Sequence, residues 1–245
     1  MTSFKSETGR RAIISTYDKL LSRFAGLERL RLKTLCGSTF AIACGNPGSP
    51  ALVLLHAESA NSSMWLKDMK TLGGKFRVYA LDMPGEPGWS EERQFPLDSE
   101  DYPEWLLDSL ARLEIGKACV AGSSLGAWLA AKFAARHPEM VEKLALVAPV
   151  GMRGFLCKTL RSPKLKEMTE LEREIHEHFF RQRSRAPILA DWELKRLGMP
   201  CSVACFAGGG FMFKACMPRV CVHETPGFWR ASFGLTEEAV RFLQD

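Results

Sequence analysis

Gly122-Ser123-Ser124-Leu125-Gly126 lies where the apolar run KACVAGSS gives way to the Ala-rich segment LGAWLAAKFAAR. A Gly-x-Ser-x-Gly pattern bracketed by a strand and a helix reads as a nucleophile elbow, in which small residues permit a tight turn that lifts the central hydroxyl into a cleft. Ser124 is that central residue. The turn also aims backbone N–H groups and the positive end of the helix dipole at the hydroxyl, which makes the Leu125 N–H a candidate oxyanion donor. The chemistry implied is attack on an acyl carbon. A serine hydroxyl is a weak nucleophile at neutral pH, so that chemistry needs an imidazole in hydrogen-bond reach and a carboxylate behind it.

The chain has five histidines. His56 follows an apolar run and reads as a structural hydrogen-bonding residue, while His137 opens the HPE turn after the Ala-rich segment and points away from the elbow. His176 and His178 lie in a charged helical segment and read as solvated. His223 sits in the middle of the last strand-like run, below the level expected of a base, and is the remaining candidate.

The elements that must position Ser124 follow from the apolar patterning. ALVLLHA (51–57), RVYALDM (77–83), KACVAGSS (117–124) and VEKLALVAP (141–149) are nearly uninterrupted apolar runs, as expected of parallel strands buried on both faces. PEWLLDSLARL and LGAWLAAKFAARHPEM alternate with them at helical spacing, which predicts a doubly wound, mostly parallel α/β sheet. Before these, residues 11–24 place Ile13, Ile14, Tyr17, Leu20, Leu21 and Phe24 on an amphipathic helix, and LRLKTLC and STFAIAC flank Gly37 as a hairpin. After Pro149 the chain turns rich in Lys, Arg and Glu, with a helix predicted at LKEMTELEREIHEHFFRQR. MPCSVACFAG and RVCVHETPG then read as strands, and TEEAVRFLQD as a closing helix with Thr236 as N-cap. The expected organisation is an N-terminal helical extension (1–29), an α/β core (30–150 and 199–245) and a helical lid insertion (151–198).

Composition narrows the partners. With 245 residues, 46% hydrophobic, 25% charged and a net charge of +5, the chain is an ordinary globular protein without a basic stripe, and no nucleic-acid partner is expected. The first 24 residues contain no apolar run long enough for a signal peptide or a membrane span, so a cytoplasmic location and no membrane partner are expected. The eight cysteines then read as reduced thiols. Cys201, Cys205, Cys216 and Cys221 are spaced unlike a zinc ribbon, and Gly208-Gly209-Gly210 lacks the lysine and serine of a phosphate loop, so neither metal nor cofactor is expected.

Taken in order, LVLLHAES, LDMPGEPGWS, GSSLGAW, ARHPEMVEKLALVAPVG and the ending PG(x)nEEAVRFL resemble the α/β-hydrolase superfamily, in its small, lidded carboxylesterase and C–C hydrolase branch. The resemblance covers about residues 30–245 and implies that Glu58, after His56-Ala57, supplies the second oxyanion N–H. Ala57 replaces the usual glycine; if the turn requires positive φ there, Ala57 strains it by about 1 kcal/mol. By the same resemblance the acid position is Gly210 and the histidine position is Arg230, whose guanidinium cannot accept a proton. The chain between Phe213 and Arg219 is also too short for the helix the superfamily carries there. The expected function is therefore a hydrolase fold with weak or absent hydrolysis that serves in small-ligand binding or as an interaction module, its small-molecule partner being a small hydrophobic ester-like ligand or substrate. The alternative is an active serine hydrolase of small esters or amides with a relocated base such as His223. Oligomeric state is left open.

Overall fold

The computed structural model describes residues 4, 6–147, 202–206, 220–223 and 237–244. The expected lid (151–198) with His176 and His178, and also Gly210, Arg230 and Thr236, lie outside the described residues.

Eight strands form one sheet in the order β1-β2-β4-β3-β5-β6-β7-β8. β1 (Glu28–Thr34) and β2 (Gly37–Cys44) are the predicted hairpin, with β2 antiparallel to β4 (Arg77–Leu81). β3 (Ala51–Leu55), β4, β5 (Ala118–Ser123), β6 (Val141–Val147), β7 (Ser202–Phe206) and β8 (Val220–His223) run parallel. After β3 the chain steps outward to β4, then returns past β3 to β5. The connections leaving β3 and β5 therefore part to opposite sides, and a crevice opens at the carboxyl ends of those two strands.

Alternation along the strands divides the core in two. Val53, Leu55 and Val120 face α3 (Asp101–Arg112) and α4 (Leu125–Arg136), where Trp105, Leu106 and Trp128 pack. Leu52, Leu54 and Ala121 face the other way, onto Tyr17 and Leu21 of α1 (Glu7–Ser22), Met69 and Leu72 of α2 (Leu66–Leu72), and Leu243 of the closing helix α5 (Glu237–Gln244). The doubly wound prediction is met on both faces. Of the apolar positions assigned to α1, Ile14, Tyr17 and Leu21 are buried, whereas Ile13 and Leu20 remain exposed. The helix begins at Ser6, whose side chain caps the Gly9 N–H.

α2 and the 3-10 turn before it (Ser62–Trp65) were not anticipated. Trp65, Met69 and Leu72 do have helical spacing, but seven residues are too short a run to separate from a loop on periodicity alone. No helix among the described residues is long and apolar enough to cross a membrane.

Candidate active site

The elbow is built by two glycines that tolerate no side chain. A Cβ on Gly122 would meet the Gly126 carbonyl and come within 2.6 Å of the Ala127 nitrogen. One on Gly126 would meet the Leu55 carbonyl and lie 2.5 Å from the His56 carbonyl oxygen. The first contact lets α4 start directly over β5, and the second lets its first turn press against the end of β3.

Between them Ser124 is held at φ 54° and ψ −109°, a conformation costly for a residue with a Cβ. Its N–H donates to Val147 O at 2.9 Å, and its carbonyl accepts the first α4 bond from Trp128 N–H at 3.0 Å. Backbone pairing on both sides thus fixes the turn. Ser124 is buried, and its Oγ has no hydrogen-bond partner among the described residues. The Leu125 N–H opens α4, where first-turn amides lack intrahelical acceptors.

The loop carrying Glu58 leaves β3 against this turn. Three of its neighbouring amides are committed elsewhere: Ala57 N–H to Met64 Sδ at 3.3 Å, Ser59 N–H to Glu86 Oε2 at 2.5 Å, and Ala60 N–H to Ala57 O at 3.3 Å. They are withdrawn from any oxyanion role. The strain expected at Ala57 is absent; the left-handed residue is Ser59, at φ 58°. Ser59 is also the residue whose amide donates to Glu86.

A second loop, 82–90, braces the first. Asp82 is fully buried; its Oδ1 accepts from Ser62 N–H (2.8 Å), Ser62 O–H (2.7 Å) and Tyr17 O–H (2.9 Å), and its Oδ2 from Trp89 N–H (2.8 Å). A Cβ on Gly88 would strike the Asp82 carboxylate, so glycine there lets the loop close over it. Asn61 adds a bond to Pro87 O at 2.8 Å. These contacts are those of a loop brace. Sequence reasoning did not single out the Glu86 carboxyl as buried and bonded to the Ser59 amide; its only signal is an acidic residue inside a Pro/Gly turn.

The histidines divide clearly. His56 is fully buried; its Nε2 accepts from Met83 N–H at 2.8 Å, so its protonated Nδ1 donates to Ala57 O at 2.8 Å. Burial holds this imidazole below its ordinary pKa despite nearby Asp82, and it stays neutral. Both ring nitrogens are spent on backbone. His137 ends α4, its ring tilted against Phe133 at 5.1 Å between centroids and near Glu104 and Glu139. Twelve residues of helix, about 18 Å, separate it from Ser124.

His223 differs from its expected level. Its backbone closes β8 in register with Phe206, Val147 and Ser123, so it stands at the carboxyl edge and not in mid-strand. Three strand spacings still separate it from Ser123, roughly 14 Å.

Residues 50–187 match the family model described as the alpha/beta hydrolase fold. The chain belongs to that family. Curated relatives of this alpha/beta hydrolase include the uncharacterized carboxylesterase nap of Bacillus subtilis (strain 168), 34% identical over 135 residues, which cover 55% of this chain and 45% of that protein. Carboxylesterase YbfK of the same organism is 33% identical over 144 residues, 58% of this chain and 48% of that protein. The chain thus spans about half the length of the curated relatives it matches. Among solved structures, that of naproxen esterase (carboxylesterase NP) from Bacillus subtilis superposes with a TM-score of 0.70 at 22% identity, covering 98% of this chain and 95% of that one. That likeness supports the same overall fold for this alpha/beta hydrolase.

Proposed function

We propose that this alpha/beta hydrolase is a carboxylic-ester-binding protein in which Ser124 is the nucleophile of a slow acyl transfer. The Leu125 and Glu58 N–H groups are its oxyanion donors. The observation that carries the reading is the strained, buried Ser124 at the head of α4, an arrangement that costs stability. The names of the curated relatives, both carboxylesterases, support the ester class. Slow turnover follows from the residues that would activate the hydroxyl: both nitrogens of His56 are occupied, His137 is at the far end of α4, and the positions expected for acid and base are Gly210 and Arg230. A small hydrophobic ester is then held more than it is consumed.

The test is labelling of the purified chain by a fluorophosphonate, followed by intact mass, with Ser124→Ala as control. The expected result is a Ser124-dependent adduct that forms about 10⁴-fold or more slowly than on a complete triad, the oxyanion donors alone supplying the remaining reactivity. No adduct above the Ser124→Ala control overturns the nucleophile assignment.

A second reading, an active hydrolase with a relocated base, draws on the position of His223 at the carboxyl edge of β8. Labelling complete within minutes and lost in His223→Ala establishes it.

A further inference from the structure

Four contacts staple the loop after β3 to the loop after β4: His56 to Met83, Ser59 to Glu86, Asn61 to Pro87 and Ser62 to Asp82. Three of them sit where the backbone is relaxed. The fourth holds Ser59 in its left-handed conformation at φ 58°, next to Glu58. Its acceptor, Glu86, is 5% exposed and is itself fixed by a tight turn in which Glu86 N–H donates to Met83 O (3.2 Å) and Gly88 N–H to Glu86 O (2.8 Å). A carboxyl in such a turn has little freedom to release the amide it holds.

We propose that Glu86 is a positioning residue for the oxyanion side of the Ser124 site: its ionised carboxylate draws in the Ser59 N–H, and so sets the Glu58 amide relative to the elbow. This rests on the assignment of Ser124 as nucleophile. The direction follows from hydrogen-bond chemistry, since an ionised acceptor binds an amide about twice as strongly as a neutral one. The titratable groups facing Glu86 are Glu58, on the loop it holds, and Tyr102 of α3, whose O–H donates to Pro84 O at 3.0 Å. Burial, reinforced by the Glu58 charge and opposed by the Ser59 N–H, pushes the Glu86 carboxyl up to about 7. The grip on the loop therefore changes across neutral pH: tight above, slack below.

Two measurements on the full chain test this. In ¹H–¹⁵N spectra the Ser59 amide should titrate with a midpoint near 7 and become indifferent to pH in Glu86→Gln, which keeps the shape and an acceptor oxygen. The fluorophosphonate labelling rate of Ser124 in the native chain, divided by that in Glu86→Gln, should be near one at pH 5.5 and rise to about fivefold at pH 8.5. A purely structural Glu86 would leave that ratio flat. A flat ratio, or a Ser59 amide that does not follow Glu86, overturns the positioning role. If the native chain forms no Ser124 adduct at any pH, the nucleophile assignment fails and the positioning role falls with it. The amide titration tells the two failures apart.

Discussion

Gly126 stands so close to His56 that a methyl group on its Cα would lie 2.5 Å from the His56 carbonyl oxygen. This contact joins the helix that presents Ser124 to the strand end from which the Glu58 loop departs. Neither backbone can yield without pulling β3 out of the sheet or α4 off its face. Gly126→Ala should therefore cost at least about 1–3 kcal/mol, since overpacking a backbone contact cannot be relieved by a rotamer change. Thermal denaturation should show a fall of several degrees; an unchanged midpoint would show that the helix can shift.

Ser124 itself stores strain. Ser124→Gly removes the Cβ that makes φ 54°, ψ −109° costly, whereas Ser124→Ala retains it. Both variants lose the fluorophosphonate adduct, but the glycine variant should be the more stable of the two by about 1 kcal/mol in urea unfolding. An alanine variant as stable as the glycine one would mean the elbow is not strained.

Asp82 should be the most costly side chain in the loop brace. Asp82→Ala leaves the Ser62 and Trp89 N–H groups buried without acceptors, at about 1–3 kcal/mol each. Tyr17→Phe removes one of several donors to the same carboxylate and should cost about 1 kcal/mol. Asp82→Asn, which turns one acceptor into a donor, should fall between them. The order is read from urea midpoints, and Tyr17→Phe matching Asp82→Ala would refute it.

Glu86 gives the fold a pH dependence of unusual sign. Its folded pKa, about 7, lies above the ordinary glutamate value, so between about pH 4.5 and 7 the folded chain keeps a proton that the unfolded chain has lost. Stability from this group is full below pH 4.5 and declines as pH rises to about 7. Relative to Glu86→Gln, the native chain should lose roughly 2–3 kcal/mol between pH 4.5 and 8, near the upper limit for a carboxyl so displaced. Equilibrium unfolding of the two proteins at pH 5 and pH 8 checks it. The ionisation that tightens the Ser59 contact is also the one that weakens the whole fold.

Arg77 should anchor the hairpin edge of the sheet. Its buried guanidinium makes a paired contact with Glu28 at 2.6 and 2.7 Å and donates to Gly45 O at 3.0 Å. Arg77→Ala leaves the Gly45 carbonyl and the half-exposed Glu28 without their donor and should cost about 2–4 kcal/mol, against about 1 kcal/mol for Glu28→Gln. Faster amide exchange in β1 and β2 would localise the loss.

Local chemistry in the sequence determined the parallel strands, the hairpin, α3, α4 and the elbow. Each rests on a signal confined to a few residues: unbroken Val/Leu runs, helical spacing, or glycines two positions either side of Ser124. The structural role of His56 was legible for the same reason, because it sits at the end of an apolar run. Tertiary structure decided the rest. That Ser59 and not Ala57 is left-handed, with its amide bonded to Glu86 27 residues away, is a feature of the folded loops that no local pattern carries. That His223 closes its strand level with Ser123 depends on register passed across three strand pairs. That the Glu86 carboxyl is pushed up to about 7 depends on its burial in the folded chain. Patterning along a chain reports which faces are apolar; only packing decides which buried polar groups meet, and at what cost.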